Sequence, residues 1–93
     1  MMSEIPIDIG KVKKKLIDRE ILRVAVIAEL DAISLYEQLA AATENENIKK
    51  VLLDIAKEEK THVGEFQTLL LKEDEEQVEE LEKGKKEVEE ILE

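Results

Sequence analysis

Residues 48–71 read IKKVLLDIAKEEKTHVGEFQTLLL. Ile48, Leu52, Ile55, Glu59, His62, Phe66 and Leu69 advance by alternating steps of four and three. That spacing is one face of an α-helix. All but two members of this stripe are apolar, and the exceptions are Glu59 and His62. Glu59-Lys60-Thr61-His62 is a Glu-x-x-His motif. On a helix, positions i and i+3 project the same way, about 5–6 Å apart, so both side chains can reach one metal ion. Glu58, at i and i+4 with His62, would also reach. Its neighbours Asp54 and Glu65 put it on the wet face, whereas Ile55, Val63 and Phe66 surround Glu59. His62 is the one histidine in the chain.

Working backwards, residues 16–42 contain no Gly or Pro and carry a second stripe: Leu22, Val26, Glu29, Ile33, Tyr36, and Leu39 or Ala40. Its odd member is Glu29. Each long helix therefore turns one carboxylate into its own apolar stripe, near the middle. Burying an unpaired carboxylate costs several kcal/mol, so something must compensate. Thr43 to Asn47 breaks the two helices apart, with Asn45 or Asn47 as the N-cap of the second, which is predicted from Ile48 to about Leu71. Lys72 to Glu75 reads as a second break. A third helix follows over Glu76 to Leu92, with Val78, Leu81, Val88 and Leu92 as a thin apolar seam and Gly84 as a weak point. The chain divides into a leader over 1–10, with turns at Pro6 and Gly10, a helical hairpin over 11–72 and an acidic C-terminal helix over 73–93.

Composition agrees with this all-α reading. The chain has 93 residues, enough for one small domain, with 41% charged, 43% apolar and 2% aromatic residues. One Pro, three Gly and no Cys exclude a disulfide scaffold, a zinc ribbon and a cysteine-ligated iron centre. No apolar run reaches the roughly 18–20 residues of a membrane span. The first residues lack a basic stretch followed by an apolar core, so no signal peptide is expected and a cytoplasmic location is. A net charge of -10 argues against nucleic acid as a partner. The lysines at 11 and 13–15 have no aromatic between them and read as a solvated helix start.

The first helix is apolar beyond its stripe, since Val24, Ile27, Leu30 and Leu35 lie off the Glu29 face. A helix apolar most of the way round is surrounded by protein, and two helices cannot surround each other. The expected cover is a second copy. The ligand count leads to the same conclusion. Di-iron carboxylate bundles take one Glu from each of two helices and a Glu-x-x-His from each of the other two. This chain holds half that set, and a two-fold dimer would supply Glu29, Glu59 and His62 twice over in a four-helix bundle. Iron is the expected metal, two ions per dimer, with Ca²⁺ or Zn²⁺ as possible substitutes.

Leu22 to Leu71 resembles the encapsulated ferritins, the short ferritin-like cargo proteins of encapsulin nanocompartments. The likeness rests on residues 28–37, AELDAISLYE, and 55–62, IAKEEKTH. Rubrerythrins use the same Glu-x-x-His but carry two copies per chain and often a cysteine-bound iron. The resemblance implies an antiparallel hairpin whose dimer builds a ferroxidase centre, with dimers joined into a ring, commonly a decamer, inside an encapsulin shell. It implies metal ligation by Glu29, Glu59 and His62 and an aromatic beside the site at Tyr36. In the family an outer metal site is formed by acids flanking the first ligand, and here those places hold Ala28 and Asp31. The function implied is oxidation of Fe²⁺ by O₂ to feed iron storage. Peroxide reduction at the same site is the alternative chemistry, and a non-catalytic helical assembly adaptor is the alternative from another class.

Overall fold

A computed structural model describes Gly10 and residues 13–93; the rest of the leader, with Pro6, and the lysine at 11 lie outside the described residues. A short 3-10 turn, Lys14–Leu16, leads into α1, Ile17–Ala42. Then come α2, Glu46–Glu73, and α3, Glu75–Ile91. Among the described residues every element is helical, as the composition predicts.

The α1–α2 connection is three residues long, Thr43 to Asn45, and a link that short between helices of this length folds them back antiparallel. Asn45 is the cap. Its side-chain oxygen accepts from the backbone N–H groups of Asn47 (3.0 Å) and Ile48 (3.1 Å), so α2 begins at Glu46, two residues before the predicted start. Thr43 Oγ1 accepts from the Asn45 N–H at 3.1 Å and tightens the turn. Glu46 in the first turn of α2 and Lys72 in its last turn both suit the helix dipole.

The second break is shorter than the sequence suggests. Asp74 alone separates α2 from α3, in place of the four residues Lys72 to Glu75. Its carboxylate accepts from the Gln77 N–H at 3.1 Å and caps α3. Gly84 does not break α3, which runs through it.

The core is thin. Ala40, Ala56 and Leu70 are the buried apolar residues among those described. Ala40, not Leu39, is the buried member at the end of the α1 stripe. On α2, Ala56 and Leu70 sit one position off the stripe, while the stripe's end members Ile48 and Leu69 are half-exposed. The stripe thus straddles two surfaces: one edge packs on α1, and the other faces outward with Val51. Ile48, Ile55, His62 and Leu69 recur every seven residues along that outward edge.

Candidate metal centre

Halfway along the hairpin, Glu29 of α1 meets Glu59 and His62 of α2. One ligand atom from each lies within 4.8 Å of the others, the one such group of three among the described residues. His62 Nδ1 stands 3.3 Å from Glu59 Oε2 and 3.5 Å from Glu29 Oε2. The first distance spans one turn of α2; the second crosses between helices and depends on the hairpin's register. The side chains of Glu29 and Glu59 are 19% and 20% exposed, and that of His62 is 44% exposed. Two carboxylates are therefore held in the seam, with the imidazole at its outward edge.

Glu29 Oε2 is buried and makes no hydrogen bond. A buried carboxylate oxygen without a donor is costly, and a cation is the usual remedy. The donor set, two carboxylates and one imidazole, suits a divalent transition metal. The site opens into a cleft of about 400 Å³ lined by Glu29, His62, Glu65, Phe66 and Leu69. That cleft lies on the outward edge of the stripe, so the uncovered side of the site coincides with uncovered apolar surface.

Of the other residues singled out in the sequence, Glu58 is exposed, and Glu65 is exposed at the cleft rim. Tyr36 is half-buried, two turns along α1 on the face of Glu29. Asp31 leaves α1 nearly opposite Glu29, as residues two apart on a helix must, and is not part of the group of three. Its Oδ2 is buried without a hydrogen-bond partner. The opposite flank of the hairpin carries a Lys60–Glu37 ion pair at 3.0 Å between α2 and α1. Both partners are exposed, so it contributes about 0–1 kcal/mol.

A second cluster was missed at the level of sequence. At the α2–α3 corner Asp74 Oδ2 receives Arg23 Nη2 at 2.9 Å and lies 3.8 Å from Arg19 Nε. Asp74 is more than fifty residues from both arginines and sits in a run of acids. The available signal was that Arg19 and Arg23, one turn apart, are the two arginines of a lysine-rich chain.

The family model described as Rubrerythrin matches residues 20–92. A ferritin-like–encapsulin shell fusion protein of Pyrococcus furiosus is 64% identical over 72 residues, covering 77% of this chain and 21% of that protein. An encapsulin nanocompartment cargo protein of Myxococcus xanthus is 39% identical over 69 residues, covering 71% of this chain and 53% of that protein. The chain thus spans about a fifth and about half of these two relatives. The crystal structure of the encapsulated ferritin domain from Pyrococcus furiosus superimposes with a TM-score of 0.82 at 55% identity. That match covers 97% of this chain and 94% of the other. With the hairpin, its central carboxylates and these likenesses together, the chain belongs to the rubrerythrin family and to the encapsulated ferritins.

Proposed function

We propose that this protein is a ferroxidase whose centre is completed by a second copy, and that it oxidises Fe²⁺ for storage in an encapsulin compartment. The observation that carries the reading is the gathering of Glu29, Glu59 and His62, with a buried Glu29 oxygen that makes no hydrogen bond, on the side of the hairpin left apolar and open. A two-fold axis through that side would face one trio with its copy, giving four carboxylates and two imidazoles. Four carboxylates balance the charge of two ferrous ions. Two such ions side by side supply two electrons to one O₂ molecule. Glu29 and Glu59 would hold the ions and keep their net charge low as it rises on oxidation. His62, at the open edge, would complete each set. Tyr36 would line the site, and Asp31 would serve an outer metal position.

A place inside an encapsulin is supported by the names of the two curated relatives, one a fusion to a shell protein and the other a nanocompartment cargo protein. A ring of dimers is the assembly that the resemblance implies. A hairpin pair encloses no storage cavity, so the oxidised iron would be deposited elsewhere.

Anaerobic Fe²⁺ titration of the full chain tests the reading. Saturation at one iron per chain, followed by O₂ consumption, is the expected result. No saturable binding would favour the assembly adaptor. Peroxide reduction is kept as the second chemistry by the Rubrerythrin match, and loading the same sample with H₂O₂ instead of O₂ separates the two by relative rate.

A further inference from the structure

The helices α2 and α3 meet at a corner one residue wide. Nothing in the backbone of that corner dictates its angle. Asp74 has φ -146° and ψ 85°, a negative φ that carries no demand for glycine, and neither Pro nor Gly is near it in sequence. The backbone of α3 comes close to the end of α2 and to no part of α1. Its apolar residues Val78, Leu81, Val88 and Ile91 are all exposed, so no core packing aims it. A helix joined by one residue and packed on no other part of its own chain should swing unless side chains at the corner hold it.

What opposes this is a set of side-chain bonds that divides the Asp74 carboxylate between two tasks. Oδ1 accepts from the Gln77 N–H and starts α3. Oδ2 faces α1, where Arg23 Nη2 donates to it at 2.9 Å and Arg19 Nε approaches to 3.8 Å. Arg19 Nη2 also donates to the backbone carbonyl of Glu73 at 3.0 Å, tying down the last residue of α2. Arg23 Nη1 donates to Glu20 Oε1 at 2.6 Å, which fixes the guanidinium in turn. The Asp74 side chain is 6% exposed, the most enclosed acid among the ion pairs of the described residues. Both arginines of the chain converge here, and a planar guanidinium fork orients its partner in a way that a lysine ammonium does not.

We propose that the Arg19–Asp74–Arg23 clasp is a hinge lock, fixing the direction in which α3 leaves the hairpin. Asp74 is the pivot and the two arginines are positioning residues. The lock ties an acidic arm to α1 although the two helices do not pack, and so determines where the apolar seam of α3 is presented. It is independent of the iron-binding reading, because none of its members belongs to the Glu29, Glu59 and His62 group.

The chain has no cysteine, so Lys50→Cys and Lys85→Cys give a unique pair of spin-label sites on α2 and α3. Labelled chains diluted in unlabelled wild type report the intrachain distance by pulsed electron paramagnetic resonance. A single narrow distance is expected for the wild-type background. Asp74→Asn keeps a capping oxygen but loses the charge. Arg19→Gln with Arg23→Gln keeps Asp74 and loses the forks. Both should leave helix content by circular dichroism unchanged and broaden the distribution roughly twofold, as expected for a corner released into several angles. A distribution equally narrow and centred in all three proteins overturns the lock, and so does a broad one in wild type. If Asp74→Asn loses helix content, the arginine double variant, in which the cap is intact, decides.

Discussion

The middle of α2 and the whole of α3 are both acidic helices, and on composition α3 is the better cation binder. Residues 73–93 hold 11 acids and 3 lysines. Yet no three acids of α3 gather within ligand distance, while two acids and a histidine on the hairpin do. The difference is where the charge lies relative to the apolar stripe. In α3 the acids flank the seam of Val78, Leu81 and Val88 and stay in water. In α1 and α2, Glu29 and Glu59 stand inside the stripe, so helix packing itself forces them together and strips them of solvent. A site is made by carboxylates that packing will not let go, not by a high local count of them.

Substitution at the two kinds of acid gives the largest contrast. Glu29→Ala, Glu59→Ala and His62→Ala should each abolish saturable Fe²⁺ binding in anaerobic titration, with the fold kept in all three and firmer in the two glutamate variants, where a mostly buried charge is removed. Glu58→Ala, one residue away on the wet face, and Glu80→Ala in α3 should leave stoichiometry near that of wild type. The comparison breaks if Glu58→Ala removes binding and Glu59→Ala does not, since the stripe would then be misplaced by one residue.

Stability should divide along the same line. Leu70 is 8% exposed at the core of the hairpin, whereas Leu81 of α3 is 44% exposed. Leu70→Ala should cost about 2–4 kcal/mol, within the range for a buried leucine. Leu81→Ala should cost under about 1 kcal/mol in the isolated chain, because little area leaves contact. Urea denaturation of both variants at low protein concentration checks this. A Leu81→Ala cost equal to that of Leu70→Ala would mean that α3 is covered by another chain under those conditions.

Much of this contrast was legible from residue order, and what was not has a physical cause. The hairpin and the inward placement of Glu59 over Glu58 follow from the four-three spacing, because periodicity records which face is dry, whereas the cap stayed open between Asn45 and Asn47 and is decided by the Asn45 side chain accepting from the Asn47 and Ile48 N–H groups. Leu39 against Ala40 stayed open, because neighbouring apolar residues at a helix end fit the spacing equally well. The α2–α3 corner was placed too broadly, over Lys72 to Glu75. Asp74 is the one Asp beside Glu73, Glu75 and Glu76 and so the natural cap of that run; what residue order did not show is its bonding to Arg19 and Arg23, more than fifty residues earlier. Local pattern carries no information about a tertiary ion pair.

That corner also separates the two regions by pH. The Asp74 carboxyl is held below its ordinary range, first by the Gln77 N–H and then by the charges of Arg19 and Arg23, against burial acting the other way. A depressed value means that its stabilisation is present in full above the ordinary carboxylate range, about pH 4, and is lost as pH falls through the depressed value. The Arg23 charge persists throughout, its guanidinium pushed further up by the hydrogen bond to Glu20. The anchoring of α3 should therefore be constant across neutral pH and fail only in acid. Amide signals of Gln77 and Val78 followed by NMR from pH 7 downward should show the change in wild type. In Asp74→Asn that step should be missing. A step near pH 6 would contradict the assignment.

The smallest expected effect applies one chemical change to both regions. Gly64 in α2 and Gly84 in α3 each lie inside a helix, and a Cβ built on either meets nothing within 4 Å. Neither glycine has a positive φ. Alanine should therefore fit at both, gaining about 0.5–1 kcal/mol of helix propensity and lost unfolded-chain entropy. The gains should appear in different observables. α2 is held by α1, so Gly64→Ala should raise the global unfolding midpoint by a few degrees. α3 is a 17-residue helix anchored at one end, without the packing that supplies most of a helix's stability in proteins. Gly84→Ala should slow hydrogen exchange locally, over Lys83 to Val88, by about twofold to fivefold, the factor that corresponds to that free energy, and leave the midpoint unchanged. If Gly84→Ala moves the global midpoint as far as Gly64→Ala does, α3 unfolds with the hairpin as one cooperative unit, and the separation drawn between the two regions fails.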